Sequence, residues 1–169
     1  MTPAAVQNRA SERLSSALRA EIDREAAKYP PAHRSSAVMA ALRRVQENHG
    51  WLSTELMDAV AEYLGMPPIA VYEVATFYSM YDLEPVGRHK VCVCTNISCL
   101  LNGSDHIVEH LERKLGIKLG ETTADGRITL KEVECLGACA GAPMMQVDKT
   151  YHEFLTPAKV DEILKELDK

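Results

Sequence analysis

The sequence has no apolar run long enough to cross a bilayer. Its longest candidate, Leu136 to Met145, is ten residues of mostly glycine, alanine and cysteine, against about 20 for a membrane helix. It has no surplus of positive charge either: 19 basic against 24 acidic side chains leave a net −5, which excludes a global field for nucleic acid. Nine glycines and eight prolines in 169 residues are too few for a linker or a fibrous protein. There is no G-x-G-x-x-G on a strand-to-helix turn and no P-loop, so the chain alone is not expected to hold a nucleotide. Internal repeats and low-complexity tracts are absent. The opening residues, MTPAAVQNRASER, carry no apolar core of a leader peptide, and an odd count of five cysteines argues against a disulfide framework. The expectation is a soluble chain in a reducing compartment, with thiols free for metal chemistry.

What is present is an ordinary globular composition, 46% apolar and 25% charged, with the cysteines unevenly placed. All five lie after residue 88, whereas the strongest helical periodicity lies before it. Charge does not separate the halves, which carry −2 and −3. The chain therefore reads as two domains, 1–88 and 89–169.

The first reads as a bundle of four helices. Leu14, Leu18 and Ile22 fall on one face of a helix stopped by Pro30-Pro31. Ser35 or Ser36 suits the cap of a second, with Val38, Ala41, Leu42 and Val45 inward and Gly50 at its end. Ser53 suits the cap of a third, with Leu56, Val60 and Leu64 inward and Gly65 closing it. Pro67-Pro68 opens a fourth, with Ala70, Val74, Phe77 and Tyr81 as its stripe. Trp51 is expected to plug the bundle. The second half reads as β-α-β-β-β-α, an α/β sandwich. HKVCVCT (89–95) and ITLKEVE (128–134) alternate as strands, Ser104 to Leu115 is helical, Met144–Val147 and Tyr151–Leu155 flank a turn at Asp148-Lys149, and a last helix follows Thr156. The fold class is α+β.

The cysteines fall into two pairs and a remainder. Cys94-Thr-Asn-Ile-Ser-Cys99 is C-x4-C and Cys135-Leu-Gly-Ala-Cys139 is C-x3-C, each directly after an expected strand. The helix and strand between the pairs can return the chain to the same end of a sheet, building a four-sulfur site on its rim. Structural zinc favours tighter C-x2-C knuckles. The longer loops favour a 2Fe–2S rhomb, in which each iron takes two thiolates, and leave zinc open. Gly137, Ala138, Ala140 and Gly141 let the backbone come close to the sulfurs. Cys92, two residues before Cys94, shares its face of the strand. It reads as a small buried hydrophobe, with a tuning or substitute-ligand role as the alternative. His106 and His110 stand four apart on a helix without a third ligand and read as a solvated face. Phe77, Tyr78 and Tyr81 read as core or interface residues.

TNISCLLNGSD and ECLGACAGAPMMQVD resemble the thioredoxin-like 2Fe–2S ferredoxin domain. Upstream, HGWLS (49–53) and VYEVATFYSMYDLEPVGRHKVCVCT (71–95) resemble the helical portion of the E-type small iron–sulfur subunit of NADH:quinone oxidoreductase (respiratory complex I). The resemblance runs from about residue 30 to 165. It implies a thioredoxin-like second domain with Cys94, Cys99, Cys135 and Cys139 as the ligands of one 2Fe–2S cluster. It also implies a larger partner subunit carrying FMN, the NADH site and a 4Fe–4S cluster. The chain would then be an electron-transfer subunit docked through residues 1–88, cytoplasmic and peripheral to the inner membrane, with no nucleic acid partner and no direct membrane insertion. The diaphorase subunit of an NAD-linked hydrogenase or formate dehydrogenase would use the same motifs. A zinc-stabilised interaction module without redox role is the reading from another class.

Overall fold

The computed structural model describes residues 13–167; the stretch MTPAAVQNRASE, on which the expectation about a leader rests, lies outside the described residues. The chain divides into two compact units, Met1–Pro85 and Val86–Lys169.

The first unit is helical. Ser15 opens α1 (Ser16–Ala26) by accepting the Leu18 N–H at 3.2 Å, and Leu14, Leu18 and Ile22 are all buried. Ser35 and Ser36 do not cap the next helix. They lie in a 3-10 helix, Pro31–Ala37, and α2 (Val38–His49) follows it with no side-chain cap. Pro31 presets a helical φ, so the turn starts earlier than the serines suggest. In α3 (Thr54–Leu64) the expected ends are present: Ser53 Oγ accepts the Leu56 N–H at 3.3 Å, and Gly65 closes the helix in the left-handed region at φ 68°.

The fourth helix, α4 (Pro68–Phe77), corrects the expected stripe by one residue. Val71 and Ala75 are buried, whereas Phe77 is 80% exposed. The segment is apolar on nearly all sides, so its periodicity carries little phase. Tyr81 does reach the core, but from the turn beyond the helix, where its hydroxyl donates to the Met39 carbonyl at 2.9 Å. Leu52 rather than Trp51 is fully buried after α2; Trp51 is half-buried.

The second unit carries a four-stranded sheet in the order β2-β1-β3-β4, made of β1 (His89–Cys94), β2 (Ile128–Val133), β3 (Met145–Val147) and β4 (Thr150–His152). β1 pairs parallel with β2, Cys94 lying opposite Val133, and antiparallel with β3; β3 and β4 form the expected hairpin. One face is a continuous apolar layer. Val91, Val93, Ile128, Leu130, Met145 and Val147 pack with Ile107 and Leu111 of α6 (Ser104–Leu115) and with Val160 and Ile163 of α7 (Pro157–Leu167). The next residues along β1 point the other way. Cys92 thus lies in a row with Lys131, Gln146 and Tyr151. An additional short helix, α5 (Ile97–Leu101), stands in place of an open loop between the first two paired cysteines.

His110 corrects the expectation of a solvated histidine pair. It is buried, and its Nε2 lies 2.8 Å from Asp161 of α7. Arg113 lies 3.2 Å from the other ring nitrogen; its guanidinium donates there, which leaves the Nε2–H to donate to Asp161. His106 is exposed. The bond from His110, followed by one from Lys114, holds the Asp161 carboxyl below the usual carboxylate range.

Two outcomes follow from this packing. Leu111→Ala should lower the unfolding free energy in urea by about 2–5 kcal/mol; a loss below about 1 kcal/mol would show that α6 is not seated on the sheet. Because the Asp161 pKa is depressed in the folded state, its stabilisation is complete above the unfolded carboxylate value and disappears as pH falls through the folded one. Asp161→Asn should therefore lower the thermal midpoint at pH 7, with the gap from the parent closing in acid; a gap that stays constant into acid would contradict the tie.

Candidate metal centre

Parallel pairing places the carboxyl ends of β1 and β2 side by side, so the two loops that carry the paired cysteines leave the sheet together. Cys94 is the last residue of β1 and is 3% exposed. Two residues on, Asn96 Oδ1 accepts the Ile97 N–H at 2.8 Å and opens α5, which turns Cys99 inward to 2% exposure. On the outer side of that short helix Ile97, Leu100 and Leu101 are exposed.

The second loop leaves β2 at Val133 and runs through Cys135 and Gly137 to a single 3-10 turn, Cys139–Gly141. Gly137 adopts φ 74°, a conformation that favours glycine, and its N–H donates to Cys135 Sγ at 3.3 Å. Gly141 is needed for a different reason: a Cβ there would lie 2.5–2.6 Å from the Glu153 side chain. The loop is tied down from β4 and beyond. Tyr151 donates its hydroxyl hydrogen to the Leu136 carbonyl at 2.9 Å, the Phe154 N–H donates to Gly141 at 2.6 Å, and the Leu155 N–H donates to Pro143 at 2.9 Å.

Between the loops lies Met144, 1% exposed, packed with Cys94 and Cys99 and flanked by Val133, Leu136, Ala138 and Ala142. The Cys94 N–H donates to its carbonyl at 3.2 Å. The Cys94 thiol in turn points to the Glu134 carbonyl at 3.9 Å. Burial pushes the Cys99 thiol up, a hydrogen bond to Cys94 adds to this, and the neighbouring Cys94 and Cys139 charges act in the same direction; the Met144 N–H opposes them. A buried thiol beside two others resists ionisation until a cation balances the group. Thiolate-bound iron is such a cation.

Cys94, Cys99 and Cys139 are thus electrostatic neighbours, and Cys135 shares the loop with Cys139. Cys94 and Cys99 are buried, whereas Cys135 and Cys139 are exposed. Among the described residues, no three His, Cys, Asp or Glu side chains gather into a group that could hold a metal ion. Two pairs are what a two-iron rhomb takes, each iron binding two thiolates. Four thiols on two loops that leave the same end of the sheet are a donor set of the number and kind a 2Fe–2S cluster takes. Cys92 is buried on β1, between Lys131 and Gln146 in the sheet register. It sits on the same face as Cys94 and about 7 Å along the strand.

Two site features are not evident from motif spacing: the helix that turns Cys99 inward, and the tie from Tyr151. Asn96 as a helix cap and the period of two along β4 are the signals that carry them.

Residues 22–168 match the family model described as thioredoxin-like [2Fe-2S] ferredoxin. The second E-type subunit of NADH-quinone oxidoreductase from Rhizobium meliloti is 48% identical over 148 residues, 88% of this chain and 87% of that protein. The E-type NADH-quinone oxidoreductase subunit of Rickettsia felis is 48% identical over 140 residues, 82% of this chain and 84% of that one. Among solved structures, the NAD+-reducing [NiFe]-hydrogenase in its air-oxidised state matches with a TM-score of 0.65 at 20% identity. That match covers 75% of this chain and 22% of the hydrogenase chain, and it speaks for the fold alone.

The burial pattern sets an order of thiol reactivity. In folded, cluster-free protein treated with limiting iodoacetamide, Cys135 and Cys139 should be alkylated before Cys92, Cys94 and Cys99, as read by peptide mass spectrometry. Early labelling of Cys94 or Cys99 would contradict the described site.

Proposed function

The chain belongs to the thioredoxin-like [2Fe-2S] ferredoxin family, and from that premise we propose that it is the electron-transfer subunit of an NADH:quinone oxidoreductase. In this reading Cys94, Cys99, Cys135 and Cys139 hold one 2Fe–2S cluster. A larger partner subunit carries FMN, the NADH site and a 4Fe–4S cluster. The single observation that carries the reading is identity of 48%, over more than four-fifths of the chain, to two E-type subunits of NADH-quinone oxidoreductase.

When bound, the cluster supplies a reversible one-electron carrier with no open position for substrate. The chain's own residues supply the rest. Four thiolates bind. The Gly137 N–H donates to the Cys135 sulfur and stabilises negative charge there, and the Met144 N–H favours the ionised form of Cys99. Met144, Val133, Leu136 and Ala142 keep water from the buried pair. The exposed side, at Cys135 and Cys139, leaves a short path for an electron from a partner. Residues 1–88 serve in this account as the docking portion, and the exposed Phe77, Tyr78 and Met80 offer apolar area for it. No described helix is long and apolar enough to cross a membrane. Attachment as a cytoplasmic, peripheral part of a membrane complex, through its partner, completes the proposal.

The test is spectroscopic and compositional. Alanine at any one of Cys94, Cys99, Cys135 or Cys139 should abolish or badly distort the EPR signal of the reduced protein, while Cys92→Ala should leave it visible. The parent chain should co-purify with a flavin-containing subunit. Intact signals in two or more of the four variants would overturn the ligand set. Recovery with hydrogenase or formate dehydrogenase subunits would overturn the assigned complex.

A further inference from the structure

One peptide unit of the exposed cysteine loop is engaged at both ends. The Leu136–Gly137 peptide accepts the Tyr151 hydroxyl hydrogen on its carbonyl at 2.9 Å. Its N–H donates to Cys135 Sγ at 3.3 Å. A peptide is rigid and planar, with its C=O and N–H antiparallel, so fixing the carbonyl fixes where the N–H points. Donation to the carbonyl also polarises the unit and strengthens the N–H as a donor. The left-handed φ of 74° at Gly137 lets the chain turn back on itself immediately after this peptide.

The other end of the tie is a strand. Tyr151 lies on β4 opposite Gln146, which lies opposite Cys92 on β1, so the tyrosine projects from the face that also carries Cys94. The sheet holds the ring, and the ring holds the loop.

We propose that Tyr151 is a positioning residue for the redox centre: by orienting and polarising the Leu136–Gly137 peptide, it sets the strength of backbone donation to the Cys135 sulfur and thereby helps set the reduction potential. This rests on the reading of Cys135 as a cluster ligand. An N–H aimed at ligand sulfur favours the more negative, reduced state and raises the potential. Removing the hydroxyl weakens that donation and lowers it.

The experiment is a redox titration of the cluster-loaded protein, wild type and Tyr151→Phe, followed by EPR. Exchangeable-proton hyperfine couplings of the reduced state are measured alongside. At the wild-type midpoint, the reduced-to-oxidised ratio should fall about threefold to tenfold in Tyr151→Phe, equivalent to about 30–60 mV for a one-electron couple. One exchangeable-proton coupling should weaken. Tyr151→Leu should match Tyr151→Phe, because the hydroxyl and not the ring is the agent. An unchanged or raised potential in Tyr151→Phe overturns the proposal. So does a shift seen only in Tyr151→Leu, which marks ring packing, or loss of the cluster from a folded Tyr151→Phe protein that keeps all its thiols. A wild-type protein without a 2Fe–2S cluster overturns the functional reading itself; a loaded wild type with an indifferent Phe variant overturns this inference alone.

Discussion

Everything at the metal centre depends on the parallel pairing of β1 with β2. An antiparallel pair would send the chain after Cys94 and the chain after Val133 to opposite ends of the sheet, and two cysteine pairs would never meet. The register, Cys94 opposite Val133, is fixed by the apolar layer on the helix-covered face, where Val91 and Val93 align with Leu130, Val147 and Met145. A slip of one residue would turn Cys94 into that layer and valine out of it, so the burial that stabilises the unit also aims the thiols.

With the loops side by side, the remaining problem is electrostatic. Sulfurs that must become thiolates sit partly in an apolar setting with Met144, Val133 and Leu136. Burial and like charges both resist ionisation of Cys99, and the Met144 N–H offsets them only in part. In the proposed reading the chain supplies donors and a few amides, and bound iron supplies the counter-charge. The folded loops, the small residues beside Cys139 and the ties from Phe154 and Leu155 act together, in that reading, to position the two cysteine-bearing loops.

Much of this is legible in the sequence, for a physical reason. The C-x4-C and C-x3-C pairs after alternating strands already place both cysteine loops at one end of the sheet, and Ser53 and Gly65 announce a helix boundary through chemistry local to the chain. What escapes is decided by other parts of the molecule. The phase of α4 is invisible because its segment is apolar on most sides, so packing and not pattern chooses Val71 and Ala75. Proline at residue 31 overrides the two serines as a start signal. His110 becomes an interhelical tie only because Asp161, fifty-one residues away, comes beside it. The helix that buries Cys99 is shorter than any periodicity can report.

In the proposed reading Cys94, Cys99, Cys135 and Cys139, on a chain of the thioredoxin-like [2Fe-2S] ferredoxin family, hold two irons and two sulfides rather than one zinc. Metal and acid-labile sulfide analysis of the isolated protein tests this most directly. The expected result is about two irons and two sulfides per chain with a reddish-brown absorption. A colourless protein with one zinc and no sulfide would contradict it.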